Sequence, residues 1–134
     1  MRTQKILSHF GRVLIALRSY RTECTPLSSR VIAKGWAYIA IEIPGTGDSP
    51  ALVADPESAD RLFSSILAWL HQLNWVNKRK IIAWGTSTGG YYSLRLAHTH
   101  REQVTAVVAQ GAGCHYMFDS KWLDLTSHLE YAFE

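Results

Sequence analysis

Six residues, Gly85-Thr-Ser-Thr-Gly-Gly90, constrain this chain more than any others. An apolar run, Lys80-Ile-Ile-Ala-Trp84, leads into them, and the sequence after them reads as a helix from about Thr88 to His100. A serine at a strand-to-helix junction, with glycine two residues to either side, requires an abrupt reversal of the backbone. Side chains at the flanking positions would collide with the neighbouring strand and helix.

The rest of the chain fits such a junction. Short apolar runs alternate with helical stretches, the pattern of βαβ units on a parallel sheet. Val13-Leu-Ile-Ala-Leu17 is the first expected strand. A helix is expected from Pro26 to Lys34, with Thr25 as N-cap, Pro26 at the first helical position and Gly35 as C-cap. The near-continuous apolar run Trp36–Ile43 predicts a strand buried on both faces. Asp55-Pro56 is expected to open a long helix, whose apolar face would be Leu62, Phe63, Ile66, Trp69, Leu70 and Leu73. Lys80–Trp84 and Val104–Ala109 are the third and fourth strands. No repeat or low-complexity stretch interrupts this order.

Gly85-Thr86-Ser87-Thr88-Gly89 matches the G-x-S-x-G nucleophile elbow, in which a strained turn lifts a serine hydroxyl into a cleft. The unpaired N–H groups at the following helix start favour developing negative charge. A phosphate-binding loop would need a lysine after the glycines, where this chain has Tyr91 and Tyr92. The second glycine-rich stretch, Pro44-Gly-Thr-Gly-Asp-Ser49, lacks the third glycine and the helix start of a dinucleotide fingerprint. It reads as a cleft loop, with Asp48 as a turn-forming Asx residue.

Several classes are excluded. Of 134 residues, 47% are hydrophobic and 19% charged, which describes an ordinary globular chain of one domain at most. The net charge of +3 comes from scattered basic residues, and Lys78-Arg79-Lys80 reads as a solvated loop, so no nucleic-acid partner is expected. Cys24 and Cys114 form neither a disulfide framework nor a zinc pattern. No metal or cofactor is expected, and the thiols fit a reducing, cytoplasmic setting. Val13–Leu17 is too short to span a bilayer, and residues 1–10 lack the apolar core of a signal peptide.

Four segments together resemble one family: Tyr20-Arg-Thr-Glu23, Glu42-Ile-Pro-Gly-Thr-Gly-Asp48, Trp84-Gly-Thr-Ser-Thr-Gly-Gly-Tyr-Tyr92, and Ala97-His-Thr-His100 with Ala109-Gln-Gly-Ala-Gly113. They look like the α/β-hydrolases of fungal pigment pathways, the yellowish-green type polyketide-shortening hydrolases, with bacterial fermentation–respiration switch proteins as more distant relatives. The resemblance implies a serine hydrolase with a Ser-Asp-His triad and a lid, cleaving a carbon–carbon bond in a small acyl or polyketide substrate. It makes Ser87 the nucleophile and Gly85 and Gly89 the elbow glycines. The oxyanion hole would be the backbone N–H of Thr88 together with one from Ser19 or Tyr20. The chain reads Arg18-Ser19 where the family has Asp-Gly, a departure in the loop that would supply that second donor.

The expected architecture is a partial α/β-hydrolase fold. Its core, 1–113, holds about four parallel strands flanked by helices, matching the third to sixth strands of the fold, and 114–134 would begin a lid. The triad acid and histidine follow the nucleophile in chain order. His115, Asp119 and Asp124 do not fit those roles, and His98 and His100 read as polar residues suited to a helix C-terminus. The chain is therefore expected to look truncated and to be inactive alone. A general esterase or peptidase, or a catalytically dead remnant that only binds, stays open beside the resemblance.

Overall fold

The computed structural model describes residues 11–113 together with 120 and 121. Four strands, β1 (Val13–Arg18), β2 (Ala37–Glu42), β3 (Ile81–Thr86) and β4 (Ala106–Gln110), form one parallel sheet in the order β2-β1-β3-β4. The helices α1 (Thr25–Ala33), α2 (Ser58–Gln72) and α3 (Thr88–Thr99) supply the three crossovers. The chain moves one way from β1 to β2 and the other way thereafter. With right-handed crossovers, that reversal puts α1 on one face of the sheet and α2 and α3 on the other. It also creates a switch point between the carboxyl ends of β1 and β3, where sheets of this kind bind ligands.

The register decides which side chains make the core. Val13 pairs with Ile81 and with Ala37, so Val13, Ile15 and Leu17 share a face with Ile81, Ala83 and Gly85. Phe63, Leu67 and Leu70 of α2 and Leu96 of α3 close over this face, all at 0–1% exposure. Burying each such side chain contributes roughly 1.5–3 kcal/mol, and no residue of α1 is buried. Among the described residues, the core lies on the α2–α3 side of the sheet.

Four expectations need correction. Among the described residues β2 is an edge strand in which only Ile41 is buried, and β1 is enclosed by neighbours. On α2 the buried position is Leu67, whereas Trp69 is half exposed, because the helical stripe passes through 63, 67 and 70. Asp55-Pro56 forms the turn before α2 rather than its start: the Asp55 carboxylate accepts the Glu57 N–H at 3.0 Å and pairs with Arg61. Thr25 does not cap α1 either. A 3-10 turn, Arg21–Cys24, runs directly into the helix, and the Thr25 hydroxyl donates back to the Thr22 carbonyl at 3.1 Å. The C-terminal end of α1 is as expected: the Gly35 N–H reaches the Ile32 carbonyl at 2.9 Å and the Trp36 N–H reaches Val31 at 3.3 Å, a Schellman closure. The expected lid, 114–134, lies outside the described residues apart from 120 and 121.

Candidate active site

Ser87 sits between β3 and α3 with φ 54° and ψ −123°, and among the described residues no other non-glycine has positive φ. Strain of this kind costs on the order of 1–3 kcal/mol and persists only where surrounding structure enforces it. Here the backbone enforces it from both sides. The Ser87 N–H donates to the Gln110 carbonyl at 2.8 Å, and the Ser87 carbonyl accepts the Gly90 N–H at 2.8 Å and the Tyr91 N–H at 3.3 Å.

The flanking glycines allow the approach. A Cβ on Gly85 would overlap the Gly89 carbonyl and stand 2.5 Å from the Ser93 hydroxyl of α3. A Cβ on Gly89 would overlap the Leu17 carbonyl at the tip of β1 and come 3.7 Å from the Arg18 nitrogen. The first turn of α3 is thus pressed against the end of β1, at the switch point. Ser87 and Thr88 are exposed there.

Ser19 is partly buried and Tyr20 is 55% exposed in the loop that follows β1. The Arg18 guanidinium before them lies over the Trp84 ring at 4.5 Å, a cation–π contact, and its Nε is buried without a hydrogen-bond partner. The Arg21 N–H is taken by the Glu42 carboxylate at 3.2 Å, which removes it as a donor to any ligand at the switch point.

The tip of β2 holds charged partners whose roles the sequence did not disclose. Glu42 ends an otherwise apolar strand, and its side chain is 8% exposed. Its carboxylate accepts the Asp48 N–H at 2.7 Å and the Arg21 Nη1 at 3.3 Å, while Arg21 Nη2 donates to Asp48 at 2.7 Å. Asp48 is therefore an ion-pair partner in a clasp between two loops, not an Asx turn. A lone carboxylate in an apolar strand was the available signal, since a buried charge requires partners.

No described side chain hydrogen-bonds the Ser87 hydroxyl. His100, expected as a polar residue at a helix end, is 7% exposed instead. Its Nε2 lies 2.9 Å from the Ser64 hydroxyl and its Nδ1 2.7 Å from that of Thr99, with its ring edge-to-face on Phe63. Burial pulls its pKa below the ordinary histidine value, with Asp60 opposing, so it is a neutral tie between α2 and α3. His98 is exposed and lies eleven positions after Ser87, or about 16 Å along a helix axis. A cleft of about 440 Å³ between α2 and α3 holds His98, Tyr91 and the Asp60–Arg95 ion pair, and Ser87 does not line it. Among the described residues, no three His, Cys, Asp or Glu side chains gather as metal ligands would. No described helix is long and apolar enough to cross a membrane.

Residues 24–131 match the family model of the alpha/beta hydrolase fold. The chain belongs to the α/β-hydrolase fold family. The chain is 27% identical over 93 residues to the Quorum-quenching protein AidA of Acinetobacter baumannii (strain MDR-ZJ06), covering 67% of this chain and 30% of that protein. Among solved structures it resembles AbyA5, with a TM-score of 0.71 and 22% identity over 90% of this chain and 35% of that one. The chain thus spans about a third of the length of these two relatives. The likeness to AbyA5 carries the fold alone.

Proposed function

We propose that this chain acts on a small-molecule carbonyl compound through Ser87, as the nucleophile-bearing part of a serine hydrolase. The observation that carries the reading is the positive-φ serine at the β3–α3 turn, with glycines packed against α3 and β1. Nucleophile elbows are built this way so that the hydroxyl stands clear of its own backbone. In this scheme the Ser87 oxygen adds to an acyl or ketone carbonyl, and the oxyanion is held by the N–H of Thr88 and by Ser19 or Tyr20. Collapse breaks the bond to the leaving group, which departs as an alkoxide or stabilised carbanion and takes up the proton lost by the serine. Water then cleaves the acyl-enzyme, releasing a carboxylic acid and restoring the serine.

The base that receives and returns that proton is not among the described residues, since His71, His98 and His100 all lie on the far ends of α2 and α3 or beyond them. The scheme assigns it to a histidine outside them, and so departs from the expectation that the chain alone is inactive: reaction at Ser87 requires such a base. The sequence motifs support a carbon–carbon bond as the one broken, in an aromatic polyketide. A second reading, a hydrolase fold that binds without turnover, is favoured by the absence of any described partner for the Ser87 hydroxyl.

Acid-quenched incubations with a p-nitrophenyl ester and with an aryl 1,3-diketone test these readings together. The proposal expects an acyl group on the Ser87 peptide, with a shortened ketone released from the diketone. Acylation from the ester alone would make the enzyme an esterase. No adduct from either substrate would leave the binding-only reading.

A further inference from the structure

One carboxylate holds two loops at the edge of the switch point. Glu42 Oε1 accepts the backbone N–H of Arg21, and Oε2 accepts the backbone N–H of Asp48, 21 and 6 residues away in sequence. The Arg21 side chain bridges Glu42 and Asp48, so the ion pair crosses from one loop to the other. Gly47, at φ 49°, lets the second loop close down: a Cβ there would stand 2.5 Å from both carboxylate oxygens. The remaining turn is set by the Glu23 N–H donating to the Tyr20 carbonyl at 3.2 Å.

The consequence falls on Ser19 and Tyr20. Arg18 is fixed on one side by the Ile43 N–H, which donates to its carbonyl at 2.9 Å, and Arg21 is fixed on the other by Glu42. Two residues remain between these anchors, and they carry the N–H groups assigned to the oxyanion. The opposite donor, Thr88, is held by the approach of Gly89 to Leu17. An oxyanion hole needs both donors placed before charge develops. Glass-like rigidity is not required of the whole loop, only of the peptide links on either side of Tyr20.

We infer that Glu42 is a positioning residue for the oxyanion hole, acting through Arg21 to fix the Ser19–Tyr20 peptides while touching no substrate itself. This inference rests on the reading of Ser87 as nucleophile. Exposed ion pairs contribute little, yet Glu42 is mostly buried and accepts two backbone N–H groups, which charge-assisted bonding strengthens.

The test uses the full chain, its Glu42→Gln and Glu42→Ala variants, and Asp48→Asn as a milder break of the clasp. Two quantities are read: the rate constant for phosphonylation of Ser87 by a fluorophosphonate, and amide exchange across 19–22, 45–48 and, as control, α2. The expected result for Glu42→Ala is a loss of at least about tenfold in rate. Faster exchange should be confined to the two loops, with partial rescue by glutamine, which keeps one acceptor oxygen. Asp48→Asn should fall between native and Glu42→Ala. Native rates in both Glu42 variants would overturn the inference while leaving Ser87 in place, and so would unchanged loop exchange. Exchange that rises across α2 as well would make Glu42 a general structural residue and also overturn it. A native chain that is not phosphonylated would overturn the Ser87 reading itself, and this inference with it.

Discussion

The turn at Ser87 and the clasp at Glu42 lie at the same end of one sheet, on strands separated by β1, yet they are held by different means. The Ser87 turn is made by backbone: its bonds run between main-chain groups, and its two critical side chains are hydrogen atoms. The clasp is made by charge: a carboxylate, a guanidinium and a second carboxylate join loops far apart in sequence. A site of the first kind fails by steric overlap, abruptly. One of the second kind loosens by degrees, because each bond removed leaves others in place.

Gly89→Ala should therefore have the largest effect. Its methyl group would overlap the Leu17 carbonyl, a backbone atom in the strand at the centre of the core. A loss of about 3 kcal/mol or more is expected, visible as a fall in thermal midpoint or as failure to fold; a native midpoint would contradict the close approach. Glu42→Ala follows, at about 2 kcal/mol, as two N–H groups and a guanidinium lose their acceptor. Its denaturation midpoint should fall less than that of Gly89→Ala, and the reverse order would break the contrast between the two regions.

The strain at Ser87 gives a smaller and opposite signal. Ser87→Gly relieves a positive φ that Ser87→Ala retains, so the glycine variant should be the more stable of the two by about 1 kcal/mol. Equal midpoints would mean that the turn is not strained. The smallest effect lies outside both regions, at His100. Its folded pKa is lowered from 6.5, so the unfolded chain binds the proton first. Stability is full above that value and declines as pH falls below it toward the folded pKa. The midpoint of native protein should drop between pH 7 and 5 more steeply than that of His100→Asn; parallel curves would remove His100 as a buried neutral tie.

Much of the fold was legible in the sequence because its signals are local. Apolar runs marked the four strands to within two residues at either end, and Gly85–Gly90 marked the sharp turn by composition alone. What stayed hidden depended on neighbours. Trp36–Ile43 is as apolar as a central strand, but the order of the described strands places it at an edge. Leu67 and Trp69 are equally apolar on α2, and only the direction of the sheet decides between them. Asp48 was visible as a charged residue beside Gly47 and Arg21 as one just after the first strand, while their meeting required β1 and β2 to end at the same level. His100 had the composition of a helix end and was buried by Phe63 and Ser64 of a different helix.

The central claim is that the glycine-flanked turn presents a reactive hydroxyl at Ser87. Mass spectrometry of the chain after fluorophosphonate treatment tests it most directly. The account predicts a single adduct on the peptide containing Ser87, absent from Ser87→Ala. An unmodified Ser87, or an adduct that persists in Ser87→Ala, would contradict it.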